Sequence, residues 1–445
     1  MPKSGQAGAV SGLVRRRPRP LSPLREHLRD TFWFAPAVGL VGAAVLAAVA
    51  LFLDSLLIEA LQRDGDYATV SDLIDIADDT KTIITTVGSA MLTFIGVVFS
   101  ISLVALQMAS GQMSPRVVRL YVRSRITKCT FAWFLATFLF ALLVQASYQG
   151  DTDPRTVETV PFVSSIACVL MVLVSLGLFV AYVNSTLRLM RVVHVIDHIA
   201  RESFRVLDRH AAAGGPAPEL APAVATVAHR GRAGVLRDVN IARLVRVARR
   251  YGVVLRLIPR IGDFVVPGTP VLAVHGGAGA GPLTRALRRT VSVGVERTFH
   301  QDLGFGLRQL SDIAQRALSP AVNDPTTAVQ CLDRIVQVLA GVVGRPLGVL
   351  QHCDRQGAVR LVQDLPGWPD LVDLGFTEIR GCATAAPQVT RRLMAALEDL
   401  TALAPPERRA PLARHRVLLE QAVERGTPEG ADRAFALRPD RQGIG

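Results

Sequence analysis

Apolar residues gather in four long runs within the first 190 positions of the chain and give way to shorter alternating or helical stripes after that. The runs are Phe32–Leu53, Ile83–Gln107, Phe131–Tyr148 and Phe162–Val183. Each is close to the ~20 residues a helix needs to cross a hydrocarbon core of about 30 Å. The pattern predicts an α-helical membrane bundle of four transmembrane helices over 32–186, with spans at about 32–53, 83–107, 131–148 and 162–183. In the first span Ala35, Gly39, Ala43 and Ala47 recur at steps of four, a spacing that lets helix backbones approach closely.

The second run carries a further pattern. From Asp72 to Ser114 the chain reads DLIDIADDTKTIITTVGSAMLTFIGVVFSISLVALQMASGQMS. At steps of three and four this gives Asp72, Asp75, Asp79, Thr82, Thr86, Ser89, Thr93, Gly96 and Ser100; Leu103 interrupts the series and Gln107 resumes it. Such spacing places polar and small residues along one side of a helix that is otherwise apolar. With Ser71 as cap and Pro115 as stop, the helix is roughly 60 Å long at 1.5 Å per residue, so both ends project from the bilayer.

Beyond the fourth run, Val192, Val195, Ile196, Ile199, Phe204 and Leu207 form the apolar stripe of a juxtamembrane helix, and 211–225 reads as a linker. Gly234–His275 changes texture. GVL and then VVLRLI and PVLAV are strands, with a helix between the first two that starts at an Asp238 cap and ends at Gly252. The stretch GDFVVPGTPVLAV resembles the turn-and-strand pattern of biotinyl and lipoyl carrier domains in shape alone, because no lysine follows Lys128. Two helices are expected at about Asp302–Leu318 and from Asp324-Pro325 through Leu339, short strands or turns over 347–381, and two amphipathic helices over 384–425. The predicted organisation is a basic disordered arm (1–31), the membrane domain (32–186), a juxtamembrane helix and linker (187–225), a small α/β domain (226–280), a helical α+β domain (281–425) and a disordered tail (426–445). A cytosolic mixed α+β region thus follows the bundle.

Charge adds a direction. The N-terminal arm holds Arg15, Arg16, Arg17, Arg19, Arg25 and Arg29, and the connection between the second and third spans holds Arg116, Arg119, Arg123, Arg125 and Lys128 with no acid. The first-to-second loop carries Asp54, Glu59, Asp64, Asp66, Asp72, Asp75, Asp78 and Asp79, and the third-to-fourth loop Asp151, Asp153 and Glu158. Basic loops stay cytoplasmic, which predicts a multi-pass protein of the inner membrane with both termini inside. Of 445 residues half are hydrophobic and only 6% aromatic, so the net charge of +13 is read as membrane-facing and nucleic acid is excluded as a partner. The five scattered cysteines include no CxxC pair and are read as reduced.

Two stretches, FSISLVALQMASGQMSPRVVR (99–119) and RTFHQDLGFGLRQLSDIAQRALSPAVNDPTTAVQCLD (297–333), resemble the bacterial predicted membrane proteins grouped as domain of unknown function 2254, with similarity over about 30–425. The resemblance implies an integral membrane protein; it carries no reaction, ligand or catalytic residue.

Two sets of residues are candidates. The stripe Asp72, Asp75, Asp79, Thr82, Thr86, Ser89, Thr93, Ser100 and Gln107 is either a contact line against neighbouring spans or, with several copies around one axis, a hydroxyl-lined path with an acidic mouth. Asp302, Arg308, Asp312, Asn323 and Asp324 would meet at a helix–hinge–helix corner, either as caps and ion pairs or as a cytosolic ligand or contact site. No span holds a central ionisable residue, which argues against proton-coupled transport. His194 and His198 in HVIDH lack a third ligand, and GFG at 304–306 lacks the third glycine of a dinucleotide loop. No catalytic residue, metal or cofactor is expected. The partners expected are the lipid bilayer, other copies of the chain in a homo-oligomer, and cations or a cytosolic ligand. The leading expectation is an oligomeric membrane protein with a cation-permeable path regulated by its cytosolic domain; the alternative is a non-conducting scaffold or sensor whose cytosolic domain binds a partner or small ligand.

Overall fold

The computed structural model describes residues 31–112, 124–148, 153–157, 159–210, 214–215, 218–277, 286–287 and 290–442. The basic N-terminal arm and the arginines between the second and third spans up to Arg123 lie outside these residues. The described residues divide into two compact units, one holding those up to Asp197 together with Gln315–Ala328, the other those of His198–Ala314 and from Val329 onward.

In the first unit four helices are long and apolar enough to cross a membrane: α1 (Phe34–Arg63), α2 (Tyr67–Gln112), α3 (Arg125–Ala146) and α4 (Phe162–Met190). α3 is the central one, with 44% of its span buried against 17–22% for the others. The small-residue series of α1 explains why. Ala43, Ala47 and Ala50 are buried, and a Cβ added at Gly39 would sit 2.7 Å from the Ala132 carbonyl oxygen of α3. Only glycine permits that approach, and the resulting contact supplies the dispersion energy that holds helices together in lipid.

Polar side chains inside this unit are matched. Asp54 of α1 is fully buried and accepts from the Val163 and Ser164 backbone N–H groups at 2.6 and 3.2 Å and from the Ser164 hydroxyl. A carboxylate on one helix thus caps the exposed amides at the start of another, where the helix dipole favours negative charge. Gln62 donates to the carbonyls of Pro154 and Val157 and ties the connecting loop to α1. Tyr182 and Trp133 point into the bundle. Tyr182 is fully buried and its hydroxyl donates to the Val98 carbonyl at 2.9 Å, while Trp133 donates to the Met171 carbonyl at 3.1 Å.

α2 is longer than expected. It runs for 46 residues, about 69 Å at 1.5 Å per residue, and begins at Tyr67 rather than after Ser71. The cap is Asp66, which accepts from the Thr69 N–H at 3.2 Å and hydroxyl at 2.6 Å. An aspartate three residues before a threonine is the better N-terminal acceptor of the two.

The second unit begins within α5 (Val192–His210). A six-stranded sheet has the order β1-β8-β9-β4-β6-β2, formed by β1 (Gly214–Gly215), β2 (Ala223–Ala228), β4 (Val254–Leu257), β6 (Pro270–His275), β8 (Val349–Cys353) and β9 (Val359–Asp364). Neighbours are antiparallel except β4 and β9, which run parallel. A three-stranded sheet, β5-β3-β7, joins β3 (Gly234–Val239), β5 (Phe264–Val265) and β7 (Val291–Gly294). The carrier-domain resemblance stops here: β5 and β6 flank one turn but pair in different sheets, so the segment is a corner. α6 (Ile241–Tyr251) covers the larger sheet, burying Ile241, Leu244, Val245 and Ala248 with Leu255 and Leu361. Its cap is Asn240, which accepts from the Arg243 N–H, and Asp238 lies on β3 instead. Gly252 closes it at φ 64°, a left-handed conformation that glycine adopts without strain.

The remaining helices are α7 (Phe305–Ala317), α8 (Pro325–Val342), α9 (Trp368–Cys382), α10 (Pro387–Leu403), α11 (Arg409–Gly426) and α12 (Gly430–Ala436). α9 replaces the strands or turns expected up to 381; its apolar stripe (Leu371, Val372, Phe376, Ile379) is buried, and Gly375 lets it approach Ile335 of α8. The tail is ordered as far as Gln442. The Thr390 hydroxyl donates to the Ala436 carbonyl, Arg391 stacks 4.3 Å from the Phe435 ring and pairs with Asp440, and Arg441 pairs with Asp399. Its arginines therefore serve as anchors, which composition alone did not reveal.

Asp54→Ala removes the acceptor for three donors at the start of α4. The expected cost is about 2 kcal/mol, the scale of a charge-assisted hydrogen bond, with Asp54→Asn falling between. Thermal unfolding in detergent should show both steps; unchanged midpoints would contradict the capping role.

Candidate functional site

The stripe on α2 is set by what the helix does on its opposite side. Val70, Ile84, Met91, Val98 and Ala105 are buried at 0%, 1%, 2%, 0% and 2% exposure, and all lie on one series with a seven-residue step. Phe94, one of the residues beside this line, stacks edge-on with Phe134 and Phe179. Apart from Asp79 and Thr82, the stripe residues follow one of these inward positions by two or five residues, as Thr86 and Ser89 follow Ile84, or Thr93 and Gly96 follow Met91. At about 100° per residue that is roughly 200° or 140° away, so the stripe points out of the bundle.

Burial agrees. Asp72, Asp75, Thr82, Thr86, Ser89, Thr93, Gly96, Ser100 and Gln107 are all exposed, as is the interrupting Leu103. The side chain of Asp79 lies outside the described residues. A Cβ built on Gly96 meets nothing, so the outward side of the helix is open there. The stripe is therefore not a contact line against the other spans of its own bundle; the seven-residue series facing the other way takes that role.

Hydroxyls on this open side are satisfied within the helix. Thr85, Thr86, Ser89 and Thr93 donate to the carbonyls of Lys81, Thr82, Thr85 and Ser89 at 2.9, 2.8, 3.1 and 3.3 Å. Back-bonding of this kind removes the cost of an unpaired donor in a low-dielectric setting, while each oxygen keeps lone pairs directed outward. At the acidic end Lys81 lies 5.5 Å from the centroid of the Tyr148 ring, a cation the sequence pattern passed over because it precedes the apolar run. Asp54 was read as a loop carboxylate but lies within α1, since the end of a span hides which helix terminus it meets.

The second candidate set does not converge. Asp302 precedes α7 and Asp324 follows it, and the 13 residues between its ends span about 20 Å. Asp302 forks onto Arg297 at 2.7 and 2.9 Å and accepts from the Gly304 N–H. Burial pushes its carboxyl up, against the downward pull of Arg297 and the α7 amides; burial likewise draws Arg297 down, but Asp302 outweighs it and the net direction is up. Arg308 bridges Asp312 and Glu378 of α9. Asn323 takes a left-handed φ of 47°, and Asp324 caps α8 through the Thr327 N–H and hydroxyl. These are three separate structural arrangements.

Among the described residues no cluster of three His, Cys, Asp or Glu side chains has metal-binding geometry. Gly306 of GFG packs under Ser203, whose hydroxyl an added Cβ would strike, so it serves the contact between α5 and α7. A cleft of about 470 Å³ lies between α10 and α11, lined by Leu397, Glu398, Thr401, Arg409, Leu412 and Arg416 among others. Near it, on the α9 side of α11, His415 is buried and contacts Asp373 at 2.8 Å. Burial pushes the imidazole down more than Asp373 raises it, and Arg380 and Arg414 add to the fall. For Asp373, burial pushes up, but His415 and Arg414 together bring the carboxyl below its usual range.

The family model described as "Predicted membrane protein (DUF2254)" matches residues 29–399. Among curated proteins the chain is similar to "Uncharacterized protein Mb1321c" of Mycobacterium bovis and "Uncharacterized protein Rv1290c" of Mycobacterium tuberculosis. Each is 27% identical over 448 residues, covering 96% of this chain and 82% of the relative. No solved structure matches the chain.

The His415 environment predicts a pH dependence with a definite sign. A histidine held neutral in the folded state stabilises fully above its unfolded value of roughly 6.5 and loses that contribution as pH falls below it. Asp373, shifted downward, keeps its contribution until pH falls below about 4. The thermal midpoint should drop between pH 7.5 and 5.5, and His415→Gln should flatten the slope; a midpoint that rises on acidification would contradict the assignment.

Proposed function

Because the chain belongs to the family of predicted membrane proteins DUF2254 and turns a hydroxyl-bearing stripe of its longest span away from its own bundle, we propose that it is an oligomeric membrane protein whose α2 helices face one another across a common axis. The stripe then lines a path for cations, with Asp72 and Asp75 at one mouth, and the sheet-bearing unit regulates access to it. The single observation that carries this reading is the outward exposure of Thr82, Thr86, Ser89, Thr93 and Ser100 along one line.

Three physical points support it. A step alternating between three and four suits left-handed packing of helices at about 20°. Gly96, on the stripe itself, leaves room for a second backbone to approach. Hydroxyl oxygens whose protons are engaged internally still offer lone pairs to a passing cation. Orientation follows from charge, with the acidic end of α2 outside and both termini in the cytoplasm of a bacterial inner membrane.

A second reading, a non-conducting scaffold or sensor, is favoured by the same back-bonding, since internally satisfied Ser and Thr side chains tolerate lipid. Flux measurements separate the two. Liposomes containing the full chain should pass monovalent cations, and Thr86→Val with Thr93→Val should lower the flux by roughly tenfold, equivalent to about 1.4 kcal/mol on the barrier. Absence of flux from the unaltered chain, or a flux that the substitutions leave intact, would remove the conduction reading.

A further inference from the structure

From His229 to Ile261 the chain places nine arginines against one acid, Asp238, which is itself buried. Elsewhere in this unit a number of arginines are paired, among them Arg345 with Asp208, Arg360 with Asp354, Arg392 with Asp333 and Arg414 with Asp373. Within the segment, Arg256 and Arg260 are likewise paired, with Asp364 and Asp370. The four arginines of α6 differ. Arg243, Arg246, Arg249 and Arg250 are exposed and make no ion pair among the described residues; Arg250 lies 6.0 Å from the centroid of the Tyr251 ring.

Local stability does not account for them. Arg249 and Arg250 sit in the last turn, where positive charge complements the helix dipole, but Arg243 is in the first turn, where it opposes the dipole and where the helix has no acid at all. Arg243 and Arg246, and Arg246 and Arg250, are like charges three and four residues apart and repel. The apolar face of the helix is committed to the sheet through Ile241, Leu244, Val245 and Ala248, so α6 cannot insert into lipid. Its fully exposed residues, Arg243, Arg246, Arg249 and Arg250, are all cationic.

We propose that the outward face of α6, with Arg243, Arg246 and Arg250 at its centre, binds the headgroups of anionic phospholipids at a bilayer surface. Charge complementarity selects this partner. The chain belongs to a membrane-protein family, so an anionic surface is present at high local concentration, and juxtamembrane basic clusters are drawn to such surfaces electrostatically. Guanidinium groups match phosphate oxygens two at a time. The outward face carries no row of aromatic rings on which the bases of a single-stranded nucleic acid would stack. The inference uses the membrane setting but stands apart from conduction, because its readout is lipid proximity.

The test uses the full chain in nanodiscs of phosphatidylcholine alone or mixed with phosphatidylglycerol, both doped with a lipid carrying a nitroxide headgroup. A fluorophore is attached at Arg249→Cys after the exposed Cys129 and Cys382 are replaced by serine. Quenching should be stronger in the anionic discs and should fall at high salt, as the Debye length drops from about 10 Å to about 3 Å. R243Q/R246Q/R250Q should abolish the difference; at about fivefold per charge, three charges shift the bound population about a hundredfold. Equal quenching in both disc types, or a difference that the triple variant retains, would overturn the proposal. So would capture of a fluorescent single-stranded oligonucleotide through these arginines with no response to anionic lipid. The salt arm on the unsubstituted helix keeps the test decisive if the triple variant unfolds.

Discussion

A single period governs α2. Its seven-residue series, Val70, Ile84, Met91, Val98 and Ala105, is buried against the other helices and fixes the helix's rotation about its own axis. Once that rotation is set, the residues two and five positions further on have no choice but to face outward. The polar stripe is exposed because the apolar line opposite it is not. Everything proposed for the membrane unit depends on this, since the same residues turned inward would be ordinary packing within one subunit.

The rest of the unit keeps that rotation by satisfying polarity internally. α1 holds α3 through a glycine that admits the Ala132 carbonyl, and holds α4 through the Asp54 carboxylate on its first amides. Tyr182 of α4 reaches the Val98 carbonyl on the inward side of α2. Where water is absent, each such group would otherwise be costly, so these contacts specify one arrangement of the four helices. The sheet-bearing unit follows the opposite regime. There several arginines are neutralised pairwise, Arg392 while buried, and the four exposed arginines of α6 contrast with them.

Periodicity and charge made much of this legible. The four apolar runs, the helix beginning at Asp324-Pro325 and the break at Gly252 are local signals, and the structure carries each of them. The face to which the stripe points was not local. It depends on the inward series competing with it, and Val70 or Met91 looks no more apolar in sequence than the exposed Leu92 or Phe99. Likewise nothing near Arg391 announces that Phe435 and Asp440 will fold back on it, and composition alone made that tail look disordered. Asp238 and Asn240 are both good caps, and strand pairing with β7 decided between them. The polar residues around α7 looked like one site because they are close in sequence. A helix of 13 residues, about 20 Å long, comes between Asp302 and Asp324 along the chain.

Direct imaging of the assembled protein bears most closely on the role given to α2. In single-particle electron microscopy of the full chain in nanodiscs, the account predicts a symmetric assembly with Thr86, Thr93 and Ser100 of each copy directed at the axis. The inward series of Ile84, Met91 and Val98 should remain within each subunit. A monomer, or an assembly whose copies meet through α1 or α4 with the α2 stripe facing lipid, would contradict it.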